Sequence, residues 1–166
     1  MSADFYLGNP NLKKVGTEIQ FTKDQIQEYL KCKEDPVYFA MNYIKIISLD
    51  EGIVPFKMWD FQQELIESFH ENRFNIAKLP RQTGKSTTCV SYLLHYILFN
   101  DNVNVGILAN KLSTARDLLG RLQLAYEQLP MWLQQGIVVY NKGSMELENG
   151  SKILAASTSA SAVRGM

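Results

Sequence analysis

The sequence predicts an α/β fold, a mainly parallel central sheet behind a helical lead-in, on three observations. Helical periodicity dominates residues 21–72, whereas short strand-like runs alternate with helices from residue 73 onward. The run from Ser86 to Phe99, "STTCVSYLLHYILF", is apolar nearly all round, as suits a helix buried against a sheet. The run "VNVGILA", ending at Ala109, is apolar over most of its length, the texture of a buried parallel strand.

Taken in order, residues 1–20 carry Gly8, Pro10 and Gly16 without strong periodicity and read as an irregular arm. A helical lead-in is expected over 21–72. Thr22 with Gln25 makes a capping box, Phe21 and Ile26 are spaced as a hydrophobic staple, and the helix should reach about Lys33. Asp35-Pro36 restarts the pattern as cap and first-turn proline. Val37, Phe39, Ala40, Tyr43, Ile44 and Ile47 then recur at helical spacing. A turn around Gly52 and Pro55 leads to a third helix, about Lys57 to Glu71, whose apolar side (Trp59, Phe61, Leu65, Ile66, Phe69) reads as core rather than as a stacking platform.

The core proper is expected over 73–166. "RFNIAKL", residues 73–79, alternates as a strand would and runs straight into a Gly84-Lys85-Ser86 loop. After the buried helix and the second strand comes a long amphipathic helix, about Ser113 to Gln128, stopped by Pro130. "IVVYNKGSMELENGSKILAAS" then reads as three short strands with turns at Lys142-Gly143 and Asn149-Gly150.

Composition narrows the function little. The 17 basic and 17 acidic residues balance, so charge alone predicts no nucleic-acid affinity. Cys32 and Cys89 lie far apart in helical segments and read as free thiols. No apolar run follows Met1, and the most apolar stretch, Cys89 to Phe99, is about half the length a membrane span needs. A soluble intracellular protein without a membrane role is expected.

The informative stretch is "AKLPRQTGKST". A phosphate loop needs consecutive backbone N–H groups aimed into one hollow at a helix N-terminus, a lysine for the outer phosphates, and a hydroxyl for magnesium. Gly84, Lys85 and Ser86 fill those places. Leu79 stands where the usual pattern has its first glycine, with Pro80 supplying rigidity instead. Arg81 either stabilises charge at the outer phosphates or is a solvated loop cation.

"LPRQTGKSTT" resembles the deviant phosphate loop of the large terminase subunits of tailed bacteriophages, the ATPases that package DNA into the prohead. "WDFQQELI", "VGILANKLSTARDLLGRLQLAYEQLP" and "GIVVYNKGSMELENGSKILAASTSASAVRG" are similar to the T-even-like branch in order and spacing, from about Thr22 to Gly165. The resemblance implies a P-loop NTPase of the helicase-like class that uses ATP and Mg²⁺. It implies that Pro80, Arg81, Gln82, Thr83, Gly84, Lys85, Ser86 and Thr87 bind the nucleotide. Within that loop Lys85 would hold the β- and γ-phosphates, Ser86 the metal, and Arg81 would lie near the γ-phosphate. Gln62 would recognise adenine; from the residues alone it is an exposed helix glutamine. Arg164 would reach a neighbouring subunit's nucleotide. The implied partners are double-stranded DNA, the portal of the prohead, the small terminase subunit and further copies in a ring, all in the host cytoplasm.

An ATPase of this class also needs an apolar strand ending in Asp-Glu, for magnesium and the attacking water. Asp50-Glu51 reads as a helix end and Asp101 as the far end of the loop's helix, so neither fits. In the family the acidic strand follows the "VRG" segment, and this sequence stops at Met166. It is therefore expected to be the first part of an ATPase core, before the acidic strand and the nuclease domain, without hydrolysis of its own. Two rivals share parts of the pattern: a helicase-like nucleic-acid motor, and a non-catalytic assembly module with a vestigial loop. His95 is expected in the core and His70 at the surface. Lys111, Arg116 and Arg121 read as a solvated helix face that could meet DNA.

Overall fold

A computed structural model describes residues 4–48 and 50–158. In chain order the elements are α1 (Lys23–Glu34), α2 (Pro36–Tyr43), β1 (Lys45–Ser48), β2 (Gly52–Pro55), α3 (Asp60–Glu71), α4 (Lys85–Phe99), β3 (Asn104–Ala109), α5 (Leu112–Glu127), β4 (Ile137–Tyr140), β5 (Ser144–Leu147) and β6 (Lys152–Ser157). The fold is α/β.

Local capping chemistry starts the first two helices where the sequence predicts. Thr22 Oγ1 accepts from Gln25 N at 3.2 Å while Gln25 Oε1 accepts from Thr22 N at 3.0 Å. Asp35 Oδ1 accepts from Tyr38 N at 2.8 Å, with Pro36 at the first helical position. The second helix, however, ends at Tyr43 instead of running through Ile47. The β-branched stretch after it forms β1, which pairs antiparallel with β2 from Lys45↔Pro55 to Ser48↔Gly52. Gly52 and Pro55 are thus the two ends of a strand, and Asp50-Glu51 lies in the hairpin turn rather than at a helix end.

The four-stranded sheet runs β3-β6-β5-β4 and is mixed, not mainly parallel. Among the described strands of this sheet only β3 and β6 are parallel. The other two pairs are antiparallel because tight turns, at the predicted Lys142-Gly143 and Asn149-Gly150, fold β4, β5 and β6 into a meander. The segment 73–79, expected as a strand, pairs with no described strand and is irregular. Phe74 and Ile76 are 82% and 101% exposed. Alternation marks a segment able to form a strand, but a ladder needs a neighbour.

Two layers of core result. α5 packs on β3 and β6, burying Ala115, Leu119, Leu122 and Tyr126. α4, apolar all round as predicted, owes that pattern chiefly to other helices: its main neighbours are α2, α3 and α5. Leu94, Ile97 and Leu98 are buried there. His95 is buried among Phe39, Tyr92 and Phe99, with Nε2 2.8 Å from Cys32 O. His70 is exposed. Cys32 and Cys89 are free, and burial pushes the Cys32 thiol up to about 12, so it carries no thiolate near neutrality.

The N-terminal arm is irregular but anchored. Ile137 N donates to Lys13 O at 2.8 Å, and Gln134 bonds Lys13 N at 3.0 Å and Asn11 O at 3.0 Å. One Glu148 carboxylate accepts from Gly136 N at 2.7 Å, Gly16 N at 3.2 Å and Lys13 Nζ at 3.4 Å. Gly136 permits this approach: a Cβ there would lie 2.6 Å from Glu148 Oε2 and 2.7 Å from Val15 Cα. Among the described residues no helix is long and apolar enough to cross a membrane.

Candidate functional site

The loop from Pro80 to Gly84 is a compact turn that α4 continues. Gln82 and Gly84 have φ of 64° and 75°, whereas Thr83 between them does not have positive φ. Positive φ on either side of a residue that lacks it is a pattern found in anion nests, whose successive N–H groups face one side. Gly84 is also the N-cap of α4, so the turn runs directly into the helix.

Two side chains close the loop on itself. Thr83 Oγ1 donates to Pro80 O at 3.0 Å. Lys85 Nζ donates to Leu79 O at 2.9 Å and to Pro80 O at 2.6 Å, so the ammonium spans the mouth of the loop. Leu79 accepts one of these bonds through its carbonyl, and its φ is not positive, so a side chain at the place of the first glycine brings no left-handed backbone strain.

Among the described residues none accepts a hydrogen bond from the backbone N–H of residues 81 to 87. The first amide with an acceptor is Thr88, which reaches Gly84 O at 3.0 Å. α4 has no acidic residue in its first turn, and neither Arg81 nor Lys85 is in a described ion pair. The positive end of the helix dipole therefore stands beside two cations without a compensating carboxylate, a field that favours an anion. Ser86 is half-buried at the second position of the helix, and Arg81 and Gln82 are exposed.

Gln62 is not the exposed helix residue that spacing alone suggests. It is 3% exposed, and both ends of its amide are engaged. Oε1 accepts from Trp59 N at 3.0 Å, and Nε2 donates to Thr83 O at 3.0 Å. The first bond caps α3, and the second ties α3 to the loop. Gly84 is shaped by the same contact, because a Cβ there would lie 2.4 Å from Gln62 Nε2.

Trp59 and Phe61 depart from the core expectation, with exposures of 72% and 37%; Phe69 is half-buried. Trp59 is the N-cap of α3 with extended backbone (φ −78°, ψ 155°), so helical spacing does not apply to it. The helix instead buries Gln62 and Ile66, one turn apart. Trp59 and Phe61 line a cavity of about 440 Å³ whose opposite wall is Gln82, Thr83 and Gly84.

Not all expected site residues meet here. Arg164 lies outside the described residues. Asp101 follows the distal end of α4, whose 15 residues span roughly 22 Å. Lys111, Arg116 and Arg121 are all exposed, at the N-cap and along α5. The described residues hold no cluster of three His, Cys, Asp or Glu side chains able to ligate a metal. No protein-family model matches the sequence.

Proposed function

We propose that this chain is the nucleotide-binding part of a DNA-packaging ATPase of the large-terminase type. The observation that carries the reading is the run of seven amides, residues 81 to 87, without acceptors among the described residues at the head of α4. A polyphosphate fits them, because its oxygens supply the acceptors the loop lacks and its charge suits the helix terminus.

Within this reading the amides of Gln82 to Ser86 cradle the β- and γ-phosphates of ATP. Lys85 exchanges its contacts with Leu79 O and Pro80 O for phosphate oxygens, which couples nucleotide binding to release of the loop's own closure. Arg81, exposed at the start of the turn, offsets charge on the outer phosphate. Arg164 serves a neighbouring copy's nucleotide in a ring. The Ser86 hydroxyl would hold magnesium, which would supply Lewis-acid charge for phosphoryl transfer. Double-stranded DNA as cargo, and the portal of the prohead and the small terminase subunit as partners, come from the sequence resemblance.

The test is DNA uptake. In an assembled packaging motor containing the full-length protein, Lys85→Ala should abolish ATP-driven entry of DNA into proheads. Uptake at the wild-type rate would refute the reading, and strand unwinding in place of uptake would favour the helicase-like rival.

A further inference from the structure

The turn at the head of α4 is not closed by its own backbone. Among the described residues no backbone–backbone hydrogen bond joins any two of residues 79 to 84. Side chains hold it instead. Lys85 Nζ donates to Leu79 O at 2.9 Å and to Pro80 O at 2.6 Å. Thr83 Oγ1 donates to Pro80 O at 3.0 Å, and Thr83 O accepts from Gln62 Nε2 at 3.0 Å. Pro80 O thus spends both of its lone pairs, one on the ammonium and one on the hydroxyl. Thr83 is the joint of the set, because its side chain closes the turn while its carbonyl ties the turn to α3.

Between these fixed points lies Gln82, whose φ of 64° is in the left-handed region. A residue with a side chain stays there only where its surroundings enforce it. In the loop as it stands, both Lys85 and Thr83 do so through Pro80 O. Loading the loop with a polyphosphate changes that. A lysine that turns to phosphate oxygens gives up Leu79 O and Pro80 O, and the hydroxyl of Thr83 is then the one described side-chain donor left to Pro80 O. A hydroxyl has a single hydrogen, and this one is committed within the loop, so Thr83 acts on the shape of the turn and not on the ligand.

We infer that Thr83 is the positioning residue of this loop: its hydroxyl keeps Gln82 left-handed when Lys85 leaves Pro80 for a phosphate. The inference rests on the proposed phosphate cradle and adds the group that preserves its shape while it is occupied.

The experiment compares the wild type with Thr83→Val, which keeps the side-chain shape without the donor, and Thr83→Ser, which keeps the donor. Calorimetry with Mg²⁺–ATP and with Mg²⁺–tripolyphosphate reads affinity. Thr83→Val should weaken both ligands alike by about three- to tenfold, the loss of one hydrogen bond, and Thr83→Ser should stay within about twofold of the wild type. A second readout needs no ligand. A positive φ gives Gln82 a strong NOE between its own amide and α hydrogens. That signal should persist in Thr83→Val and in Lys85→Met, since one donor to Pro80 O remains in each, and fade in the double variant. Wild-type affinity in Thr83→Val, or a loss that Thr83→Ser shares, would overturn the assignment while leaving the cradle intact. So would a Gln82 signal that survives in the double variant, since the hydroxyl would then act on the ligand itself. Failure of the folded wild type to bind either ligand would overturn the cradle, and the assignment with it.

Discussion

Gly84 concentrates three demands on one residue: a left-handed φ of 75°, the N-cap of α4, and the 2.4 Å that would separate any Cβ from Gln62 Nε2. Gly84→Ala should therefore cost about 1–2 kcal/mol from backbone strain alone, and weaken nucleotide binding further by displacing Gln62. Urea unfolding and calorimetry on one sample separate the two effects, and wild-type values in both would contradict the geometry. His95 gives a second prediction. Burial depresses it to about 4, outweighing the hydrogen bond to Cys32 O, and the neighbouring His70 lowers it further. Because a carbonyl only accepts, Nε2 carries the hydrogen and Nδ1 is bare, without a partner among the described residues. Between pH 6.5 and 4 the unfolded chain binds a proton that the folded chain refuses, so stability falls as pH falls through that window. The loss from His95 should total about 3 kcal/mol. Denaturant midpoints at pH 7 and 4.5 check it: His95→Gln, which keeps a donor for Cys32 O, should lose less stability on acidification. Equal losses would contradict the assignment.

The helix starts were legible because a cap is a local device: Thr22 with Gln25, and Asp35 with Pro36, specify their termini within four residues. The β1–β2 hairpin was not, because Ile44 and Ile47 continue the helical spacing of α2 while their β-branched neighbours favour a strand, and tertiary pairing decided between them. Trp59 was misread for a related reason. Periodicity applies inside a helix, and α3 begins one residue after it. The arm's attachment was invisible in the sequence, since Glu148 lies 132 residues from Gly16. That carboxylate, raised by burial but lowered more by the Gly136 and Gly16 amides and by Lys13, sits below its ordinary range. Its contribution is present at neutral pH and is lost as pH falls through its folded value. Glu148→Gln should release the arm, seen as faster proteolysis between residues 4 and 20 at pH 7. Cleavage at the wild-type rate would show that Gln134 and the Lys13–Ile137 bond suffice.

Across the whole molecule, the α/β class and the loop could be read from local pattern, whereas the sheet could not. A meander joined by tight turns made most of it antiparallel, and residues 73–79 carry a strand's alternation without a described neighbour to pair with. The acids show the same limit: Asp50-Glu51 sits in a hairpin turn, and Asp101 is a helix length from the loop. Hydrolysis by residues 1–166 alone should therefore stay near background, and rapid phosphate release abolished by Lys85→Ala would show that one of these acids serves as base. The most direct test is calorimetric titration of the folded chain with Mg²⁺–ATP, repeated on Lys85→Ala. A loop whose amides face one hollow should bind ATP, with a parallel rise in thermal midpoint, and the variant should lose most of that affinity. A chain that melts cooperatively yet shows neither heat of binding nor any shift in its midpoint would mean that residues 80–86 merely cap a helix.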